Sequence, residues 1–292
     1  MNIIKFLIIL LSFIISTHIS FAKSYLTDYR PPRFEHFVQK ILPELNKFSS
    51  ENLSNLANNK SVLYPFGGPD VIYPLILFPD AETYTMIGLE RTGKDAGCLS
   101  KVNPQTLDKQ LESLLKRSFF ITFDMSRDVT SACGVLPMLV AQLNMLGCNI
   151  LNFKHSELSF GNSIEIRFSH LGKEKKLIYL KSNLENKIIS EQLMQYILTN
   201  KLHDVCILKA GSYNLHKKEF TVIKDFVISK AQVILQDDTG VHIKELSKNF
   251  NIKLFGNYIT PYGKSMAGYY QRELATLYKS SQPVDRVNFC YG

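Results

Sequence analysis

Four short runs in this chain are apolar or β-branched at nearly every inner position: Ser61 to Phe66, Thr83 to Leu89, Asp204 to Lys209 and Ala231 to Leu235. A strand that is apolar on both faces has to be covered on both, which is the mark of a parallel sheet between two layers of helix. Helical patterns lie between the runs. Pro69 suits the first turn of a helix that runs to about Phe78 and stops at Pro79-Asp80. Leu107, Leu111, Leu114 and Leu115 follow Asn103-Pro104 on one face, and Leu136, Leu139, Val140, Leu143 and Leu146 repeat the spacing up to Gly147. Ile188 to Leu198 and Lys217 to Ser229 are two more. Asn149 to Lys154, Ser163 to Ser169 and Lys176 to Leu180 read as strands, the last two joined antiparallel around Leu171-Gly172-Lys173. The pattern predicts an α/β fold: a three-layer, Rossmann-like mixed sheet of about seven strands with an antiparallel hairpin insertion. It forms one domain over 61–260. An N-terminal helical lead, 23–60, has its helix Phe34 to Phe48 broken near Pro43, and a C-terminal tail, 261–292, reads as irregular and packed on the domain.

The first residues predict export. Lys5 precedes an apolar stretch from Phe6 to Ile15, the size of a signal-peptide core and shorter than the roughly 20 residues that span a bilayer. Ser20-Phe21-Ala22 offers small residues for a cut after Ala22. The mature chain then starts at Lys23 and keeps no stable membrane span. Its net charge falls from +8 to +7, since Lys5 is the only charge removed.

The charges exclude one class of partner. The 34 Lys+Arg against 26 Asp+Glu are scattered, and the densest runs, Lys173-Glu174-Lys175-Lys176 and Lys217-Lys218, look like turns or helix starts. No basic stripe forms, so nucleic acid is not an expected partner. The 5 cysteines are too few for a disulfide scaffold and have no zinc spacing. Cys133 and Cys148 bracket a helix whose length of about 22 Å keeps them from pairing.

In open α/β sheets ligands bind beyond the carboxyl ends of the strands, and three clusters fall there. The first is Gly67, Gly68, Pro69 and Asp70. Its carboxylate repels phosphate, and neither GxGxxG nor a Walker motif is present, so ordinary nucleotide-phosphate binding is not expected. The simplest role for Asp70 is to satisfy free N–H groups at the start of the helix. The second is Glu90, an acid closing the second strand of a βαβ unit, which suits ribose hydroxyls. The same arrangement serves class I methyltransferase folds, whose cationic donor carries no phosphate. The third pairs Lys209 with Asp237 and Asp238, adjacent carboxylates suited to a divalent cation or a shared proton. Asp238-Thr239-Gly240 also matches the triplet of aspartic proteases, but only one copy is present.

Several of these segments recur together in one family. Tyr64-Pro65-Phe66-Gly67-Gly68-Pro69-Asp70, Ile87-Gly88-Leu89-Glu90, Lys209-Ala210-Gly211-Ser212-Tyr213 and Gln236-Asp237-Asp238-Thr239-Gly240, closed by Gly256-Asn257-Tyr258, resemble a bacterial family of uncharacterised exported proteins and lipoproteins. The resemblance covers roughly 61–260 and implies a bacterial envelope location; it implies no chemistry. The expected function is an exported, periplasmic or secreted protein that binds a small polar, hydroxylated or cationic ligand. Its pocket is walled by Gly67, Gly68, Asp70, Glu90, Lys209, Asp237 and Asp238. The alternatives are a metal-dependent envelope hydrolase working through Asp237 and Asp238, and a structural protein without ligand, including a degenerate methyltransferase-like fold.

Overall fold

The structure, a computed structural model, describes residues 30–56, 60–93, 99, 102–117, 133–209, 211–237, 239–256, 271–280 and 290–291. The expected signal segment and its cut, Cys98, Ala210, Asp238 and Asn257-Tyr258 lie outside the described residues. Among the described residues no helix is long and apolar enough to cross a membrane.

The strands are β1 (Ser61–Tyr64), β2 (Thr83–Gly88), β3 (Asn149–Leu158), β4 (Gly161–His170), β5 (Lys173–Lys181), β6 (Val205–Leu208), β7 (Val233–Gln236), β8 (Lys253–Leu254) and β9 (Cys290–Tyr291). They form one sheet in the order β3-β4-β5-β2-β1-β6-β7-β9-β8. β5, β2, β1, β6 and β7 are parallel to one another. β3 and β4 run antiparallel beside β5, and β9 is antiparallel to both of its neighbours. β8 and β9 are two residues each, and the other seven are the strands the pattern predicts.

Side chains on the parallel strands alternate between two cores. Val62, Tyr64, Tyr84, Met86, Val205, Ile207, Val233 and Leu235 pack on one face with helices Ile72–Leu77, Pro104–Arg117 and Leu136–Met145. Leu63, Ile87, Cys206, Leu208 and Ile234 pack on the other with helices Lys187–Thr199 and Thr221–Lys230. That is the three-layer α/β arrangement, and it explains why these strands carry no polar alternation.

Three local expectations change. The N-terminal helix is not broken at Pro43. A wider π-turn, Phe37–Ile41, precedes the proline, and the Leu42 N–H bonds the carbonyl of Phe37, so helical structure continues to Leu53. The helix after β1 begins at Ile72 rather than Pro69, because Phe66 (φ 62°) and Gly68 (φ 53°) turn the chain sharply first. The tail 261–292, expected to be irregular, carries helix Arg272–Ser280 and strand β9, and helix Ile243–Leu246 and β8 precede it.

Cys133, Cys148 and Cys206 are buried, and Cys148 and Cys206 are free thiols. Cys133 and Cys148 stand at opposite ends of helix Leu136–Met145. Burial pushes the Cys148 thiol up to about 12, and it raises that of Cys206 as well. Alkylation at pH 8 is therefore expected to leave Cys148 and Cys206 unmodified in the native protein and to reach both in urea. Peptide mass spectrometry checks this, and native labelling of Cys148 would count against the buried thiol.

Candidate functional site

Strand order locates the site. From β1 the chain adds β2 on one side and later β6 on the other, so the crevice between the carboxyl ends of β1 and β6 is the switch point where α/β sheets take ligands. Two loops leave the sheet there. After Tyr64 the chain folds back, with Gly67 N–H on the Tyr64 carbonyl at 3.3 Å. A Cβ at Gly67 would lie 2.6 Å from the Tyr64 ring, so only glycine permits the turn. Gly68 N–H reaches the Ile87 carbonyl at 3.3 Å, tying the exit of β1 to the end of β2. After β6 comes Lys209.

Asp70 and Lys209 meet in this crevice. Asp70 is 1% exposed and Lys209 6% exposed. Lys209 Nζ stands 3.9 Å from Asp70 Oδ2 and 3.4 Å from the centre of the Tyr73 ring. The Tyr64 hydroxyl donates to Asp70 Oδ2 at 3.3 Å. Burial pushes the Asp70 carboxyl up to about 6, against the pull of Lys209, the Tyr73 backbone N–H and Tyr64. Burial likewise lowers Lys209, opposed by Asp70 and Asp237. Tyr64 is raised by burial and then by both carboxylates, so it stays protonated and acts as a donor. Asp70 Oδ1 is buried and has no partner in hydrogen-bonding geometry.

Asp70 carries only part of the expected capping role, through the Tyr73 N–H. The N–H groups of Val71 and Ile72 go instead to Oε1 of Gln142, at 3.1 and 3.4 Å. Gln142 also donates to the carbonyls of Pro69, at 2.6 Å, and Met138, at 3.0 Å. This amide on a neighbouring helix fixes the Gly67–Asp70 turn from behind and frees Asp70 to face Lys209.

Glu90 sits one strand further out. The fully buried Tyr179 hydroxyl, from β5, donates to Glu90 Oε2 at 2.7 Å and to its carbonyl at 3.2 Å. Glu90 is half-buried, and beside it Leu89 is 66% exposed. A Cβ at Gly88 would strike both Glu90 Oε2 and the Tyr179 hydroxyl and lie 3.1 Å from Gly68 Cα. The two glycines thus form a floor without side chains beside the carboxylate. Gly88→Ala is expected to lower stability by about 2 kcal/mol through this overlap. Adding Glu90→Ala should restore part of it, because one of the two clashing groups is then gone; urea denaturation of both variants checks this.

Asp237 follows β7. Its Oδ1 accepts from Thr239 N–H at 2.9 Å and Thr239 Oγ1 at 2.6 Å, while its charge reaches Tyr64 and Lys209. Gln236 closes the loop with paired 2.9 Å bonds to the Val241 N–H and carbonyl.

The fold therefore brings Gly67, Gly68, Asp70, Lys209 and Asp237 together, with Glu90 on the flank beside Gly68. Asp238 lies outside the described residues. Among the described residues no group of three His, Cys, Asp or Glu side chains is placed to hold a metal. Sequence reasoning misses Tyr64, Tyr73, Tyr179 and Gln142. The tyrosines pass for core aromatics. Gln142 is visible as the one amide in Leu139-Val140-Ala141-Gln142-Leu143, where a buried polar group needs internal partners. Compared with known proteins, the chain matches no family model, no curated protein and no solved structure.

Proposed function

We propose that this is an exported envelope protein that binds a small hydroxylated or cationic ligand, without phosphate, across the carboxyl ends of β1, β2, β6 and β7. The observation that carries the reading is the unfilled Oδ1 of buried Asp70 at the switch point. Leaving such an oxygen unpaired is costly, and these positions are kept where a ligand or ordered water completes them. Charge narrows the ligand. Lys209 neutralises Asp70, which leaves the half-buried Glu90 and Asp237 as net negative charge on either side. Glu90, held by Tyr179 through one oxygen, keeps the other for a hydroxyl or cation. The apolar run Phe6 to Ile15, followed by Ser20-Phe21-Ala22, supports the export part of the reading.

A structural role without ligand is the second reading, favoured by the mutual neutralisation of Asp70 and Lys209 in the interior. One experiment separates them. The chain is purified from the envelope fraction, its intact mass is read, and unfolding is followed with adenosine, ribose and spermidine added. A mass starting at Lys23 is expected. A ligand at a hundred times its Kd should add about 2.7 kcal/mol, a rise of several degrees that Glu90→Gln removes. An empty protein unmoved by any of the three favours the structural role. A retained leader contradicts the cut after Ala22.

A further inference from the structure

We infer that His216 and His242 form an acid-released clasp that holds together the two loops walling the candidate site. The first loop starts at Lys209, and its 3-10 turn Gly211–His216 ends on one imidazole. The second starts at Asp237 and ends on the other, directly before helix Ile243–Leu246. The rings meet edge to face, with centroids 4.6 Å apart and planes at 75°. His216 also faces the carbonyls of Thr239 and Gly240, in the second loop. The contact therefore joins the segment that delivers Lys209 to the segment that delivers Asp237. The inference rests on the ligand reading only for what the clasp encloses.

Two neutral imidazoles attract in this arrangement, and one proton is tolerated, since an imidazolium edge also favours an aromatic face. A second proton places two like charges side by side, partly out of water. The neighbouring carboxylates do not relieve this. Glu245 faces His216 but is paired with Lys224 at 3.0 Å. Glu273, which feels His242, is paired with Lys244 at 2.6 Å. Lys217 follows His216 directly and adds positive charge, and Asp237 is bonded to Thr239. Half-burial and the neighbouring ring lower the His216 imidazole, against the pull of the Gly240 and Thr239 carbonyls and Glu245. Release thus belongs on the acid side of about pH 6.5.

Hydrogen exchange of the full chain at pH 7.5 and 5.0, corrected for intrinsic rates, tests the clasp. At least a tenfold loss of protection is expected at pH 5.0 in 211–216 and 239–243. His242→Gln, which keeps size and polarity but cannot charge, should make protection there independent of pH, and His216→Gln should do the same. Wild-type protection unchanged at pH 5.0 would overturn the clasp. So would an equal acid loss in both glutamine variants. Asp70 gains its proton in the same range and is followed separately through 70–73. Loosening that starts there and spreads to 211–216 in all three proteins counts against the clasp. Acid release in a protein that ignores adenosine, ribose and spermidine leaves the clasp standing and removes the ligand reading.

Discussion

Lys209→Met is expected to lower stability by about 3 kcal/mol at pH 8 and by far less at pH 5. The substitution keeps most of the side chain's length and leaves a sulfur to pack on the Tyr73 ring, so packing loss is small. What disappears is the ammonium that neutralises Asp70 from 3.9 Å and rests 3.4 Å over Tyr73. At pH 8 the variant must either hold an unpaired buried carboxylate or keep it protonated at a cost. At pH 5 Asp70 is mostly protonated in both proteins, and the difference narrows. The wild type has its own signature. Burial raises this carboxyl from 3.8 to about 6, so the folded state binds the proton more tightly than the unfolded chain does. The associated stability is whole below about pH 4 and is lost as pH climbs through 6, an effect on the order of 3 kcal/mol. Asp70→Asn removes the titration, so the fall in stability from pH 4 to 7 should flatten. The double variant Asp70→Asn, Lys209→Met should recover part of the single lysine loss at pH 8, since no charge is then left buried alone. Urea denaturation of the four proteins at both pH values is the measurement. A Lys209→Met loss of equal size at pH 5 and 8 would show that the lysine contributes by packing rather than by charge.

That pair also marks how far the sequence reaches. The parallel sheet is legible because Val62-Leu63-Tyr64, Val205-Cys206-Ile207-Leu208 and Val233-Ile234-Leu235 are apolar on both faces, and burial on both faces is what the sheet requires of them. The hairpin from β4 to β5 is legible at Leu171 (φ 50°) and Gly172 (φ 76°), a turn written in local residue types. Placing Asp70, Lys209 and Asp237 near one another follows from strand ends alone. Their partnership does not, because it depends on which strand lies beside β1, and no local pattern records that β6 does. The two-residue strands β8 and β9 fail for a related reason. Two residues have no period, and only pairing with β7 makes them strands. Pro43 misleads because a proline usually stops a helix, whereas here the wider turn before it accommodates the missing donor.

Gln142→Leu is the second large effect: a loss of about 3 kcal/mol, although Gln142 touches none of the charged groups. Its side chain is fully buried and holds two N–H groups and one carbonyl of the chain segment on either side of Asp70. Leucine fills similar space and bonds none of them. The Ile72 N–H then lies in an apolar interior without a partner, at roughly 1–3 kcal/mol before relaxation, and the Val71 N–H and Pro69 carbonyl keep only their 3.0 Å bond to each other. Helix Ile72–Leu77 has six residues, all buried, and its N-cap Val71 offers no side-chain cap, so its start depends heavily on Gln142. The relaxation carries the functional consequence. Pro69 and Val71 flank Asp70, and any shift that brings their backbone groups to water moves the carboxylate away from Lys209 and Tyr64. Gln142→Leu should therefore weaken the pH dependence assigned to Asp70 as well as lower the urea midpoint. Gln195→Leu, on the exposed face of helix Lys187–Thr199, serves as the control and should change stability by no more than about 0.5 kcal/mol. If Gln142→Leu cost less than 1 kcal/mol and left the Asp70 titration intact, the turn would be held by the glycines alone and the amide would be incidental.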